Sequence, residues 1–314
     1  MAETAIPAPP PSPVEELDLP EFRKAGVQLL LKRDDLLAPL PGGAFCGNKW
    51  RKLYYNLLAA REQGKHGLLS FGGAFSNHIA AVAEASRLYG FESVGIIRGE
   101  PTTPLNPTLK TAAGMGMQLK FVSRTAYRTK DQPDFLAQLG LKQAHYYCIP
   151  EGGSNLPAIR GCADLGAEIM HAYSPDLVAV ACGTGGTLAG LACGIEQKCK
   201  VLGISVLKGD WHSEIVRKWC EAYPCSTYSH FDVIIDYHHG GYAKWTPELI
   251  RFIRQFKTDT GIRLDPVYTG KLLFALSDMV QKGAFQRGTR LMAIHTGGLQ
   301  GIAGFESRWG ISLT

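Results

Sequence analysis

Between residues 27 and 294 the chain alternates short apolar runs with longer stretches of helical periodicity, and few folds tolerate that alternation. The apolar runs lie at 27–32, 67–71, 93–97, 118–122, 145–149, 176–181, 201–206 and 290–294. Helical spacing fills the intervals at 50–63, 79–89, 107–115, 156–173, 188–198 and 213–223, with two further helices at 247–260 and 270–282. Gly90 supplies the stop after the second helix. Strands separated by roughly 10–15 residues of helix cannot form hairpins and must pair through crossovers. The expected class is α/β, with open, mainly parallel twisted sheets flanked by helices. At 314 residues the chain can form two modest domains or one large one, with ample core.

In such sheets ligands bind beyond the carboxyl ends of the strands. Three runs end there in glycine-rich polar loops, at 72–78, 182–187 and 295–298. In Cys182-Gly-Thr-Gly-Gly-Thr187, the glycines Gly183, Gly185 and Gly186 let backbone N–H groups converge. Thr184 and Thr187 add hydroxyl donors, and the following helix start favours an anion. Leu188 stands where a dinucleotide fingerprint needs its third glycine, and no Gly-Lys-Ser/Thr ends the loop. A single phosphate fits better than a nucleotide, and a bare strand-to-helix turn is the plainer alternative. The loop at 72–78 crowds Ser76, Asn77 and His78 at a helix start, suited to a carboxylate or to N-capping alone.

Upstream, Lys49 follows a glycine-rich turn, sits between Phe45 and Trp50, and precedes a helix. A lysine so placed can lose its proton and condense with a carbonyl, although most lysines are solvated surface residues. An amine, a phosphate cradle and a carboxylate cradle together point to pyridoxal phosphate acting on an amino acid. Without the amine, the same cradles would suit a non-catalytic binder of a small phosphorylated ligand. Tyr242 and Tyr268 each lie beside glycine in a loop, as packed aromatics or as acid–base groups. The pair His238-His239 lacks metal-ligand spacing, and Arg98-Gly99-Glu100 has no assigned role.

A net charge of +5, with no basic block, gives no support for nucleic-acid binding. The eight cysteines form no Cys-x-x-Cys pair, which suits reduced thiols and no metal. No apolar stretch approaches the ~18 residues of a membrane span. Residues 1–13 are acidic and proline-rich without a signal pattern, so a frayed arm on a cytoplasmic protein is expected.

Five motifs then occur in a telling order: Gly47-Asn48-Lys49-x-Arg51-Lys52, Ser76-Asn77-His78, Gly183-Thr-Gly-Gly-Thr187, Asp265-Pro-Val-Tyr268 and His295-Thr296-Gly-Gly298. The set resembles the aminocyclopropane-carboxylate deaminase and D-cysteine desulfhydrase family, pyridoxal-phosphate enzymes of the tryptophan-synthase-β fold (fold type II), over about residues 25–305. The resemblance implies that Lys49 holds the cofactor and that Asn77 meets its ring oxygen. It further implies that 183–187, with Lys52, holds the phosphate and that Thr296 meets the pyridine nitrogen. Ser76, Asn77 and His78 would bind the substrate carboxylate, while Tyr242 and Tyr268, with Ser76, would serve as polar or acid–base groups. The large domain would combine 1–51 with 149–314, and 52–148 would form the smaller one. A homodimer and a small amino-acid substrate are expected. Thr269 and Thr296 replace the acidic residue and leucine of cyclopropane-opening members, which favours D-cysteine desulfhydration over cyclopropane deamination.

Overall fold

The computed structural model describes residues 5–101 and 103–313. Ten strands form two sheets. The first holds β1 (Val14–Leu17), β2 (Gln28–Lys32), β7 (Leu177–Cys182), β8 (Lys200–Ser205), β9 (Phe231–Ile234) and β10 (Arg290–Ile294), in the order β1-β2-β10-β7-β8-β9. The second holds β3 (Gly67–Gly73), β4 (Glu92–Arg98), β5 (Gln118–Val122) and β6 (Tyr146–Ile149), in the order β5-β4-β3-β6. Every pairing is parallel except that of β1 with β2. The expected α/β architecture is therefore the observed one.

Side chains of the central strands alternate between two faces, and both faces are buried. Ala179 and Ala181 of β7 and Leu291 and Ala293 of β10 pack toward helices Pro247–Thr260 and Thr269–Gln281. Val178, Val180, Met292 and Ile294 pack on the other side, against helices Leu156–Ala172, Gly186–Ile195 and His212–Ala222. Strands buried on both faces read as continuous apolar runs, which is why the central strands were visible in the sequence. In the smaller sheet, helices Asn48–Glu62, Asn77–Tyr89 and Pro107–Gly114 cover one face.

Elements that periodicity did not indicate lie mostly at the edges. β1 is Val-Glu-Glu-Leu and β9 is Phe-Asp-Val-Ile; each borders one neighbour and carries acidic residues. Between β5 and β6 the chain makes two short helices, Arg124–Tyr127 and Phe135–Gln138. Helices Pro20–Ala25 and Gly301–Trp309 were also not anticipated.

The frayed arm to Pro13 needs correcting. Ser12 is buried, its hydroxyl donates to Asp34 at 2.5 Å, and Arg33 N–H donates to the Pro13 carbonyl at 2.9 Å. Asp34 in turn accepts two hydrogen bonds from Arg51, at 2.7 and 2.9 Å, and Arg51 reaches Glu168 at 3.0 Å. A buried ion network, not apolar contact alone, fastens this end of the arm. Residues 1–4 lie outside the described residues.

Candidate active site

The ends of β3, β7 and β10 converge, as open parallel sheets require, and the end of β6 joins them. They enclose a cavity of about 410 Å³ lined by Lys49, Lys52, Ser76, Asn77, His78, the 183–187 loop, Tyr242, Tyr268 and Thr296. Every residue that the sequence offered for holding cofactor or substrate, or for catalysis, thus borders one space.

Lys49 lies in the first turn of helix Asn48–Glu62, with its amine 2.9 Å from the Asn48 side-chain oxygen. Burial, and then the charge of Lys52 one turn on, lowers its pKa from 10.5 to about 7. The positive end of the helix acts in the same sense. A large fraction is therefore free amine at neutral pH. Gly47 brings the preceding turn against the Thr296 segment, where Asn48 N–H donates to the Thr296 carbonyl at 3.2 Å.

Helix Gly186–Ile195 begins inside the loop, two residues before the start expected at Leu188, so Gly186 and Thr187 are its first turn. Gly185 enters at φ +82°, a left-handed backbone that favours glycine. A methyl on Gly186 would lie 2.7 Å from Ser154 Oγ and 3.3 Å from Lys52 Nζ, so only glycine lets these donors close in. Ser154 and Thr184 hydroxyls are 2.7 Å apart, Asn48 donates to Thr187 Oγ1 at 3.3 Å, and Lys52 donates to the Gly152 carbonyl at 3.2 Å. Hydroxyls, helix N–H groups and one buried ammonium make a site for a dianion.

On the opposite wall, Ser76 caps helix Asn77–Tyr89, its hydroxyl accepting from Ile79 N–H at 3.3 Å. Asn77 spans to the β10 loop: its amide donates to the Gly298 carbonyl at 3.5 Å, and its oxygen accepts from Gln300. His78 is buried and hydrogen-bonded to Ser70 at 2.8 Å. Burial, with the charges of Lys49 and Lys52, holds its pKa well below 6.5, so the ring is neutral. Its Nδ1 is buried without a partner among the described residues.

Tyr268 and Tyr242 close the top, with ring centroids 6.3 Å apart and planes at 71°. Burial raises the Tyr268 pKa well above 10. Asp265 fixes Tyr268 by accepting from the N–H groups of Val267, Tyr268 and Thr269 at 2.8–2.9 Å and from the Thr269 hydroxyl at 2.7 Å. The Tyr242 loop is held by the buried Lys271, which donates to the carbonyls of His238 and Gly241 at 2.8 Å.

The profile of the family described as pyridoxal-phosphate dependent enzyme matches residues 7–297. The chain is a pyridoxal-phosphate dependent enzyme. A Pyrococcus abyssi protein provisionally named 1-aminocyclopropane-1-carboxylate deaminase is 32% identical over 293 residues, covering 89% of this chain and 87% of that one. The bifunctional D-cysteine desulfhydrase/1-aminocyclopropane-1-carboxylate deaminase of Arabidopsis thaliana, a mitochondrial protein, is 31% identical over 317 residues, covering 93% and 77%. A solved structure titled as an ACC deaminase homologue superposes with a TM-score of 0.80 at 28% identity, covering 98% of this chain and 94% of that one. The pyridoxal-phosphate enzyme thus belongs to the aminocyclopropane-carboxylate deaminase and D-cysteine desulfhydrase family, and it is a lyase.

The residues fit the cofactor. The cradle of Thr184, Thr187, Ser154 and Lys52 has the donors a phosphate needs, and a nucleophilic amine borders the same cavity. Sequence reasoning missed Ser154 and the glycine turn Glu151–Gly153 that leads to it. The signal was present, because Gly152-Gly153-Ser154 follows the 145–149 strand as the other glycine loops follow theirs. It also missed Asp265 as the anchor of Tyr268 and Lys271 as the anchor of the Tyr242 loop. No local pattern marks those two, because what each holds is decided by the tertiary fold.

Proposed function

We propose that the enzyme catalyses α,β-elimination on a small amino acid, with D-cysteine the leading substrate, releasing pyruvate, sulfide and ammonia. One observation carries the choice of reaction: the Thr269 hydroxyl is turned onto Asp265 at 2.7 Å, and Thr296 is the side chain that the β10 loop offers to the cavity. A threonine hydroxyl gives a pyridine nitrogen only a neutral hydrogen bond. Pyridoxal phosphate, when bound, supplies an electron sink for the pair left at the substrate α-carbon. A moderate sink suffices to expel a thiolate, whereas opening a cyclopropane carbon–carbon bond demands more.

The chain's own residues take these proposed roles. Lys49 would hold the cofactor, and its Nζ would accept the substrate α-proton. The 183–187 loop with Lys52 seats the phosphate. Asn77 and Thr296 would hold the cofactor's ring, through its oxygen and its nitrogen respectively. Ser76, Asn77 and the helix start at His78 hold the substrate carboxylate. Because His78 is neutral and bonded to Ser70, its contribution there is its main-chain N–H or an uncharged ring. Tyr268 and Tyr242, with Ser76, would face the β-substituent as polar or acid–base groups. The division into a smaller domain at 52–148 and a larger one formed by 1–51 and 149–314, with closure between them excluding water, belongs to the same proposal. So do a homodimeric assembly and a cytoplasmic location. No helix of the described residues is long and apolar enough to cross a membrane.

Cyclopropane deamination is the competing reading, because the Arabidopsis relative bears both activities in its name. The deciding assay measures sulfide and pyruvate from D-cysteine against 2-oxobutyrate from 1-aminocyclopropane-1-carboxylate. Keto-acid release from the cyclopropane alone would sink the desulfhydrase assignment. Lys49→Ala should abolish turnover and the visible absorption of the lysine-bound cofactor; absorption that survives the substitution would remove Lys49 from its role.

A further inference from the structure

A second cavity of about 750 Å³ opens outward from the first and shares with it Ser76, Asn77, Arg98, Tyr242 and Tyr268. Five cations line it: Arg98 at the end of β4, Arg124, Arg128 and Lys130 beyond β5, and Arg308 from helix Gly301–Trp309. Five cations against two carboxylates, Glu151 and Asp265, give this lining a formal net charge of +3, more than half of the +5 carried by all 314 residues. The acids on the same walls offset only part of it. Asp265 is occupied by the N–H groups of residues 267–269, and Glu151 lies 3.8 Å from Arg98 and 4.0 Å from Lys130. Among the described residues, no carboxylate lies within ion-pair distance of Arg124, Arg128 or Arg308.

Aromatic rings support several of these cations. Arg98 and Lys130 both lie over Tyr127, each 5.4 Å from the ring centroid. Arg308 lies 5.6 Å from the Phe75 ring and 5.1 Å from that of Trp309. A guanidinium steadied on a ring face keeps its in-plane N–H donors free for an anion. Arg98 matters most, because it borders both the inner cavity and the vestibule, with its side chain 45% exposed.

We propose that this vestibule is a subsite for a second anionic group, carried beyond the β-carbon as a sulfonate, phosphate or carboxylate by a small amino acid other than D-cysteine that the enzyme also accepts. The inference rests on the proposed elimination at the inner cavity, where the 76–78 turn takes the α-carboxylate and leaves the arginines for a distal charge. Arg98, which borders both cavities, is its principal donor, and Arg128 lines the same vestibule. A volume of about 750 Å³ continuous with the inner cavity suits a small molecule and not a polyanion.

Calorimetric titration of the holoenzyme with propionate, succinate and 3-sulfopropionate tests the subsite without turnover. Either dianion should bind at least about fivefold tighter than propionate, a modest figure for charge-assisted contacts on a half-exposed guanidinium. The advantage should shrink with added salt and disappear in the Arg98→Gln/Arg128→Gln double variant. It should persist in Arg251→Gln, a surface control whose side chain is 69% exposed. Thermal midpoints of the variants establish that they fold. An advantage below fivefold, or one that survives in the double variant, overturns the proposal. The two dianions separate sulfonate from carboxylate preference. The visible cofactor absorption is read in the same samples: absorption without dianion preference removes the subsite and leaves the elimination chemistry standing. Dianion preference without absorption does the reverse.

Discussion

Lys49 shows how much one buried amine depends on its surroundings. Its position in the first helical turn, its burial and the neighbouring Lys52 all oppose a positive charge, and its pKa falls to about 7. Only the neutral amine condenses with an aldehyde, and the neutral fraction grows as pH rises through the pKa. Uptake of pyridoxal phosphate by the apoenzyme should therefore accelerate about tenfold per pH unit below pH 7 and level off above it. Rapid-mixing absorbance measures this directly; a midpoint near 10.5 would mean the amine is not desolvated. Gly186 is the second residue with a sharp consequence. The added methyl of Gly186→Ala would push Ser154 away from Thr184 and crowd Lys52. Cofactor affinity should fall about tenfold or more while the fold persists, as equilibrium dialysis and circular dichroism would report.

At the scale of elements, the start of helix Thr269–Gln281 carries an uncommon load for one carboxylate. Asp265 accepts from three backbone N–H groups and one hydroxyl, all while 2% exposed. This cap fixes the backbone of Tyr268, so a structural interaction and a site residue share one anchor. Asp265→Ala should cost about 2 kcal/mol of stability in denaturant titration. It should also lower kcat more than it raises KM, because Tyr268 loses its fixed position. A variant as stable as the parent would show that the cap is not what holds the helix start. The helix at Gly186–Ile195 works differently: no side-chain cap closes its N-terminus, which leaves its donors turned to the cavity.

For the molecule as a whole, two sheets meet at the carboxyl ends of their strands, and a buried ion network ties the N-terminal arm and β2 to the helices beneath. Lys32, fully buried, pairs with Glu168, which also receives Arg51, which in turn grips Asp34. Removing one member leaves the others charged and dry. Glu168→Ala should therefore destabilise the protein by about 3 kcal/mol, checked by chemical denaturation. A change below about 1 kcal/mol would show that water reaches Lys32 freely.

The alternation of apolar runs and helices determined the α/β class, because strands buried on both faces leave no polar stripe to confuse the reading. Glycine loops after three of those strands, with one lysine before a helix, were enough to mark the cavity. Burial chemistry at such loops is local and shows in residue type. Edge strands such as β1 were not legible, since one-sided pairing tolerates the acidic residues that mask it. Nor could the sequence show that Asp265 faces Thr269, that Lys271 ends on the His238 and Gly241 carbonyls, or that cations from β4, the 124–130 segment and helix Gly301–Trp309 gather at one mouth. Those depend on which distant segments the two sheets bring together, and only the tertiary structure fixes that.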